Sequence, residues 1–306
     1  MVILKDVIIV LVSIAVIGKG AAWLVDAAVK VAKRLGISEL VIGLTIVALG
    51  TSAPEFGVTI LAAIRGMGDI SVGNIVGSNI FNLGFILGGT AMVHSLKTSG
   101  IIIKRDGFFL LFGAILLTGF LWDLTLIRLE GIILFTFLFL YLVYLYSKRQ
   151  PLETEIPTRE MLWRDPLMLL LGMGMVLTGS HFMVESAVNL ARAIGVSEWV
   201  IGATIVAAGT SAPEFATSLV AALRGRHGIS VGNLIGSDIF NLFGVLGLAG
   251  ILRDLPVVVD ARMNLIILSL MVGLVLVFMR TGWVISRKEG MILVMIGLAR
   301  WIYSFW

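Results

Sequence analysis

The sequence predicts an all-α integral membrane protein with ten transmembrane helices in two inverted five-helix repeats. Three observations predict it. First, 58% of the 306 residues are hydrophobic and only 14% are charged, with a mean hydropathy of +1.05. A soluble domain is about a quarter charged. Second, residues 36–88 and 195–247 are nearly the same segment at a constant, gapless offset of 159, with about 34 of 53 positions identical. Third, the one substantial hydrophilic connector, 148–165, falls midway between the two copies.

A crossing takes about 20 mostly apolar residues. Spans are expected at 6–28, 39–65, 71–93, 106–122, 129–147, 166–188, 198–224, 230–252, 262–280 and 288–305. The first half, 1–147, holds the first repeat. The linker 148–165 is too short for a folded domain. The second half, 166–306, holds the second repeat. Five spans per half put the two copies in opposite orientations, the arrangement of transporters with a site where the repeats meet. The apolar N-terminus lacks a small-residue cleavage site and reads as a retained first span.

Loops after odd-numbered spans carry 15 Lys and Arg residues, against 7 on the other side. This excess places the linker in the cytoplasm and both termini outside. The net charge of +4 therefore describes membrane orientation, not a nucleic-acid surface. The absence of cysteine excludes disulfides and thiolate metal sites.

The second span contains Ala48-Leu49-Gly50-Thr51-Ser52-Ala53-Pro54-Glu55. Pro54 has no N–H and clashes with the preceding turn, so a kink is expected, with carbonyls freed around Ala48 to Gly50. Thr51, Glu55 and Thr59 share one helix face. The second copy repeats this with Ala207, Gly209, Thr210, Ser211, Pro213, Glu214 and Ser218. Hydroxyls alone fit ordinary bonding back to the helix. A carboxylate at membrane depth costs several kcal/mol unless neutralised, and two in equivalent places point to function.

Spans three and eight supply Asn74, Ser78 and Asn82, and Asn233, Ser237 and Asn241, each set spaced by four. Gly73, Gly77, Gly232 and Gly236 are expected to permit close helix contact. Carboxylates, hydroxyls, amide oxygens and carbonyls are hard ligands suited to Ca²⁺ or Na⁺, not to Zn²⁺, Cu or Fe.

The paired GTSAPE and GN-x-x-GS-x-x-FN motifs resemble the two repeats of the Ca²⁺/cation antiporter superfamily, in particular its prokaryotic Na⁺/Ca²⁺ exchangers. The resemblance covers essentially the whole chain. It implies ion sites lined by Thr51, Ser52, Glu55, Ser78 and Asn82, and by Thr210, Ser211, Glu214, Ser237 and Asn241. Carbonyls of Ala48 and Ala207 would complete the set. It further implies a non-enzymatic antiporter of Na⁺ and Ca²⁺ in a prokaryotic plasma membrane, without cofactor and working as a monomer. A same-fold exchanger using H⁺ or another divalent ion is the alternative.

Some relatives carry an acid where Asn241 stands; the amide argues against K⁺ co-transport. The Gly-Asn-Ala-x-Glu repeat of the proton-coupled branch is missing. Asp238 stands where the first copy has Asn79, off the Ser237 face, and reads as a packed, protonated or hydrogen-bonded acid rather than a ligand. Lys19 is expected to snorkel or pair with an acid, and Asp26 and Glu185 to orient loops. His181 reads as a hydrogen-bonding side chain, and Trp301, Tyr303 and Trp306 as an interfacial belt. Spans one and six look poor in polar contacts and free to move. An intramembrane hydrolase would need a nucleophile and base. His94, His181 and His227 all lie outside the repeated motif. A channel is disfavoured because the two halves need no symmetric ring.

Overall fold

The structure, a computed structural model, describes residues 2–148, 164–196, 201, 205 and 207–303. Helices α1 (Val2–Leu35), α2 (Glu39–Thr51), α3 (Ala53–Ile64), α4 (Gly68–Val93), α5 (Ile102–Asp123) and α6 (Arg128–Ser147) form the first half. Helices α7 (Asp165–Ala193), α8 (Ala207–Thr210), α9 (Ala212–Leu223), α10 (His227–Leu252), α11 (Asp260–Arg280) and α12 (Arg287–Tyr303) form the second. The linker between residues 149 and 163 lies outside the described residues, as do 197–200 at the start of the expected seventh span.

Among the described residues seven helices are long and apolar enough to cross a membrane, or eight with α2 and α3 taken as one bent span. α12 has 17 residues and α9 has 12, both short of a full crossing on their own. The kink expected at Pro54 is a 53° break between α2 and α3. Pro54 and Pro213 each sit in the first turn of a new helix, where the missing N–H is not needed.

The most buried helices are α4 and α10, whose spanning windows are 67% and 83% buried. They carry the polar motifs and are wrapped by apolar spans. Each also contains a wide π-type turn, at Asn82–Leu87 and Phe240–Val245. Such turns concentrate at functional sites because they disturb the regular backbone ladder.

Four two-residue strands occupy the turns: β1 (Leu96–Lys97), β2 (Thr125–Leu126), β3 (Leu255–Pro256) and β4 (Val284–Ile285). β1 pairs with β4, and β2 with β3, both antiparallel. The offset of 159 maps β1 onto β3 and β2 onto β4. Applied to the register, it carries Leu96↔Ile285 onto Leu255↔Leu126. Each sheet is therefore the other's image, with the halves exchanged.

The same exchange joins α1 and α7. Lys30 on α1 donates to buried Asp165 on α7 at 2.8 Å. Asn189 on α7 donates to Asp6 on α1 at 3.5 Å. Asp6 corresponds to Asp165 and Lys30 to Asn189. This corrects the expectation that spans one and six make few polar contacts. Their acids lie near opposite ends of the helix pair and are invisible to a search confined to the repeated motif.

Close packing is uneven between the halves. A Cβ on Gly236 would fall 2.6 Å from the backbone of Leu44, and one on Gly232 2.7 Å from Leu40 O. Gly73 and Gly77 have nothing within 4 Å. The expectation of tight contact thus holds for α10 and fails for α4. There the two glycines line a cavity of about 150 Å³ with Asp69, Asp260, Asn264 and Arg300.

Candidate cation site

Ser52 occupies the N-cap of α3 and Glu55 its first turn, three residues on. That S-x-x-E spacing is a capping box, in which serine and glutamate bond the backbone of their own helix start. Here the Ser52 hydroxyl makes no cap bond to α3. It donates to Glu214 Oε1 in the other repeat at 2.9 Å, and Ser211 donates to Glu55 Oε1 at 2.9 Å. The two half-helices thus exchange partners. Their N-terminal ends, which carry partial positive charge, each hold a carboxylate in the first turn.

Glu55, Glu214, Ser52 and Ser211 are all fully buried. One oxygen of each carboxylate, Glu55 Oε2 and Glu214 Oε2, has no partner. Burying an anion without compensation is costly. The two acids face each other's helix start, so any positive charge between them is favoured by both.

Asn74 and Asn233 build the next layer. Asn74 Nδ2 donates to Glu55 O at 3.3 Å and Thr59 Oγ1 at 3.0 Å. Asn233 Nδ2 donates to Glu214 O at 3.4 Å and Ser218 Oγ at 3.0 Å. These amides bind the half-helices to α4 and α10 and hold the glutamates in place. Thr51 Oγ1 lies 3.1 Å from Asn233 Oδ1 and 3.3 Å from Ala48 O. Ala48 O also accepts from Ser52 N at 3.0 Å. The carbonyl expected to be free is therefore occupied, because the turn before the break remains closed.

A turn further along α4 and α10, Asn82 and Asn241 are buried, and each Oδ1 is unpartnered. Ser237 Oγ is buried without a partner as well, and Ser78 is buried on the matching turn of α4. Thr210 closes the short helix α8, which begins at Ala207. The sequence-derived residues thus fall on six elements, α2, α3 and α4 and their counterparts α8, α9 and α10, around the two helix breaks. The orphaned atoms among these residues are two carboxylate oxygens, two amide oxygens and a hydroxyl; Oδ2 of the adjacent buried Asp238 is orphaned as well. An arrangement of buried acceptors suits a hard cation. Among the described residues no group of three or more His, Cys, Asp or Glu gathers at one point, so the acceptor set depends on amides and hydroxyls.

Other polar residues fall outside this site. Lys19 stands over Trp23 at 5.7 Å, a cation–π contact in place of the expected acid. His181 is exposed beside Glu185, 4.0 Å away. Asp26 pairs with Arg224, tying α1 to the end of α9. Trp301 packs edge-on against Phe85, with ring centroids 6.1 Å apart; Trp306 lies outside the described residues. A buried cluster missed by the sequence reading joins Asp106 to Arg105 at 2.6 Å and to Tyr141 at 2.8 Å. Its signal was an acid at the head of the fourth span with a tyrosine in the fifth.

A model of the sodium/calcium exchanger protein family matches residues 5–147 and 165–304, nearly the whole chain. The chain belongs to the sodium/calcium exchanger family. Among its relatives is the sodium/calcium exchanger MaX1 of Methanosarcina acetivorans, 33% identical over 346 residues and covering 98% of each chain. The inner membrane protein YrbG of Escherichia coli is 34% identical over 241 residues, covering 75% of this chain and 74% of that one. A solved structure of the sodium-calcium exchanger NCX_Mj, soaked with zero Na⁺ and Ca²⁺, superposes with a TM-score of 0.88 at 29% identity, covering 100% of both chains. Membership of this exchanger family agrees with a fold whose polar residues are gathered at the breaks of buried helices.

Proposed function

We propose that the chain is a secondary active antiporter that exchanges Na⁺ for Ca²⁺ by alternating access. The observation that carries this reading is the exchanged pair Ser52–Glu214 and Ser211–Glu55, with Glu55 Oε2, Glu214 Oε2, Asn82 Oδ1 and Asn241 Oδ1 left open. Thr51, Ser52, Glu55, Ser78 and Asn82 line the site from one repeat, and Thr210, Ser211, Glu214, Ser237 and Asn241 from the other. Carbonyls of Ala48 and Ala207 complete the set, each carbonyl oxygen having two lone pairs. Either one Ca²⁺ or several Na⁺ balances the two carboxylates. The empty site leaves like charges buried together, which disfavours crossing without cargo.

Ten spans in two inverted halves, 1–147 and 166–306, supply the frame. α8 and α9 together serve as the seventh span and α12 as the tenth. The reciprocal strand pairs support this layout, because β1–β4 joins turns that follow odd spans and β2–β3 joins turns that follow even ones. The Lys and Arg excess places the β1–β4 side in the cytoplasm and the termini outside, in a prokaryotic plasma membrane. One chain contains both halves of the site and works as a monomer.

The test is uptake of radiolabelled Ca²⁺ into proteoliposomes loaded with Na⁺ and diluted into Na⁺-free medium. Uptake that collapses when internal Na⁺ is replaced by choline supports the reading. Uptake driven equally by a pH gradient without Na⁺ assigns the chain to proton-coupled exchange instead.

A further inference from the structure

Asp238 touches the cation site without belonging to the ligand set. It is fully buried on α10; its Oδ1 accepts from Asn82 Nδ2 at 2.9 Å, and its Oδ2 has no partner. Its backbone carbonyl accepts from Asn79 Nδ2 at 3.0 Å. Asn79 Oδ1 in turn accepts from Asn241 Nδ2 at 3.0 Å. Asn79 and Asp238 occupy equivalent positions in the two repeats, as do Asn82 and Asn241.

An amide has an acceptor end and a donor end, and either can face a given neighbour. A carboxylate and a backbone carbonyl only accept. Facing the Asp238 carboxylate, Asn82 must therefore present its NH₂ and turn its oxygen away. Facing the Asp238 carbonyl, Asn79 must present its NH₂, leaving its oxygen toward Asn241. Asn241 then presents its own NH₂ and turns its oxygen away as well. The two oxygens so displaced, Asn82 Oδ1 and Asn241 Oδ1, are those left without a partner.

Resting on the cation site described above, we propose that Asp238 is a positioning residue. It fixes which end of both amides, Asn82 and Asn241, is offered to the cation. Its carboxylate sets Asn82 directly, and its carbonyl sets Asn241 through Asn79. Without the side-chain acceptor, Asn82 is free to turn its NH₂ toward the cation, replacing an attractive dipole with a repulsive one. An amide at position 238 would retain an acceptor, so acceptor geometry rather than negative charge is what the position requires.

The experiment measures equilibrium binding of radiolabelled Ca²⁺ to the purified full chain in detergent, without Na⁺. Asp238→Asn keeps the acceptor and should bind with a half-saturating concentration within about threefold of wild type. Asp238→Leu removes it and should raise that concentration about tenfold or more, because Asn82 can then turn its NH₂ toward the cation. In an Asn82→Ala background Asp238→Leu should add less than twofold, because its target is gone. Asp238→Ala carries the same comparison if the leucine variant does not fold.

Asp238→Asn behaving like Asp238→Leu would overturn the inference, and so would an undiminished effect of Asp238→Leu in the Asn82→Ala background. Glu55→Gln, measured alongside, separates the two levels of the reading. Wild-type binding in that variant would overturn the cation site and this inference together. Lost binding in Glu55→Gln with independent effects at 82 and 238 would overturn the role of Asp238 alone.

Discussion

Ser52 of the first repeat donates its hydroxyl to Glu214 of the second, at 2.9 Å, instead of capping the helix it begins. Ser211 repeats the contact with Glu55. A local motif has become the joint between the two halves. Each serine steadies one oxygen of the opposite carboxylate and leaves the other oxygen open. The proposed cation site therefore draws on both repeats.

Removing one of these hydroxyls should weaken cation binding without unfolding the protein. Ser52→Ala or Ser211→Ala deletes a charge-assisted hydrogen bond, worth about 1.5–3 kcal/mol. We expect the Ca²⁺ concentration for half-maximal uptake to rise at least about tenfold in each variant. The two should be similar, since the contacts are equal in length. A large effect in one and none in the other would show that the repeats are unequal at this joint.

With an amide at Asn241, the proposed ligand set holds two carboxylates, Glu55 and Glu214. An amide shapes the site without adding a third charge. Wild-type Ca²⁺ flux should persist when K⁺ is replaced by an impermeant cation. Asn241→Asp should keep Ca²⁺ binding and make flux more sensitive to acid between about pH 6 and 8, because the extra carboxylate must shed or share a proton. Loss of wild-type flux without K⁺ would contradict this reading of Asn241.

Lys30 and Asp165 bind α1 to α7, with Asp165 fully buried. Lys30→Met removes the cation at 2.8 Å from that buried acid. Because Lys30 is partly exposed, we expect a cost of about 1–2 kcal/mol, below that of a fully buried broken pair. Thermal unfolding in detergent should fall by a few degrees. Adding Asp165→Asn should recover part of the loss by removing the buried charge that Lys30 offset. A double variant less stable than the Lys30→Met single would contradict this reading of the pair.

The strand pairs specify sidedness. Lys97 lies on β1 and Asp123 just before β2, and both are exposed. The chain has no native cysteine, so single cysteines at these positions report cleanly. A membrane-impermeant thiol reagent should reach position 123 from outside and position 97 only after the membrane is opened. Labelling of both from one side would overturn the inverted layout.

Much of the candidate site was legible, as candidate residues, because its chemistry is duplicated. Glu55 and Glu214 stand out as acids at membrane depth, and the offset of 159 links them without any structure. Pro54 announces the break that the structure shows as a 53° bend. The crossed Ser–Glu pairing was not legible, since S-x-x-E reads equally as a local cap and only tertiary packing chooses between them. The roles of Gly73 and Gly77 were misread because sequence records the lack of a side chain, not whether a neighbour fills the space. The bridges of Lys30 with Asp165 and Asn189 with Asp6 escaped notice. They lie outside the repeated segment, and a lysine corresponds to an asparagine across the offset of 159.

The central claim is that Glu55 and Glu214 together hold the transported cation. Its most direct test is Na⁺-driven uptake of radiolabelled Ca²⁺ by Glu55→Gln and Glu214→Gln at matched reconstitution, with folding checked by size-exclusion profile. Glutamine keeps the shape and an acceptor for the opposite serine, and removes the charge. The account predicts that each variant folds and that uptake is abolished in both. Uptake within twofold of wild type in either one would contradict it.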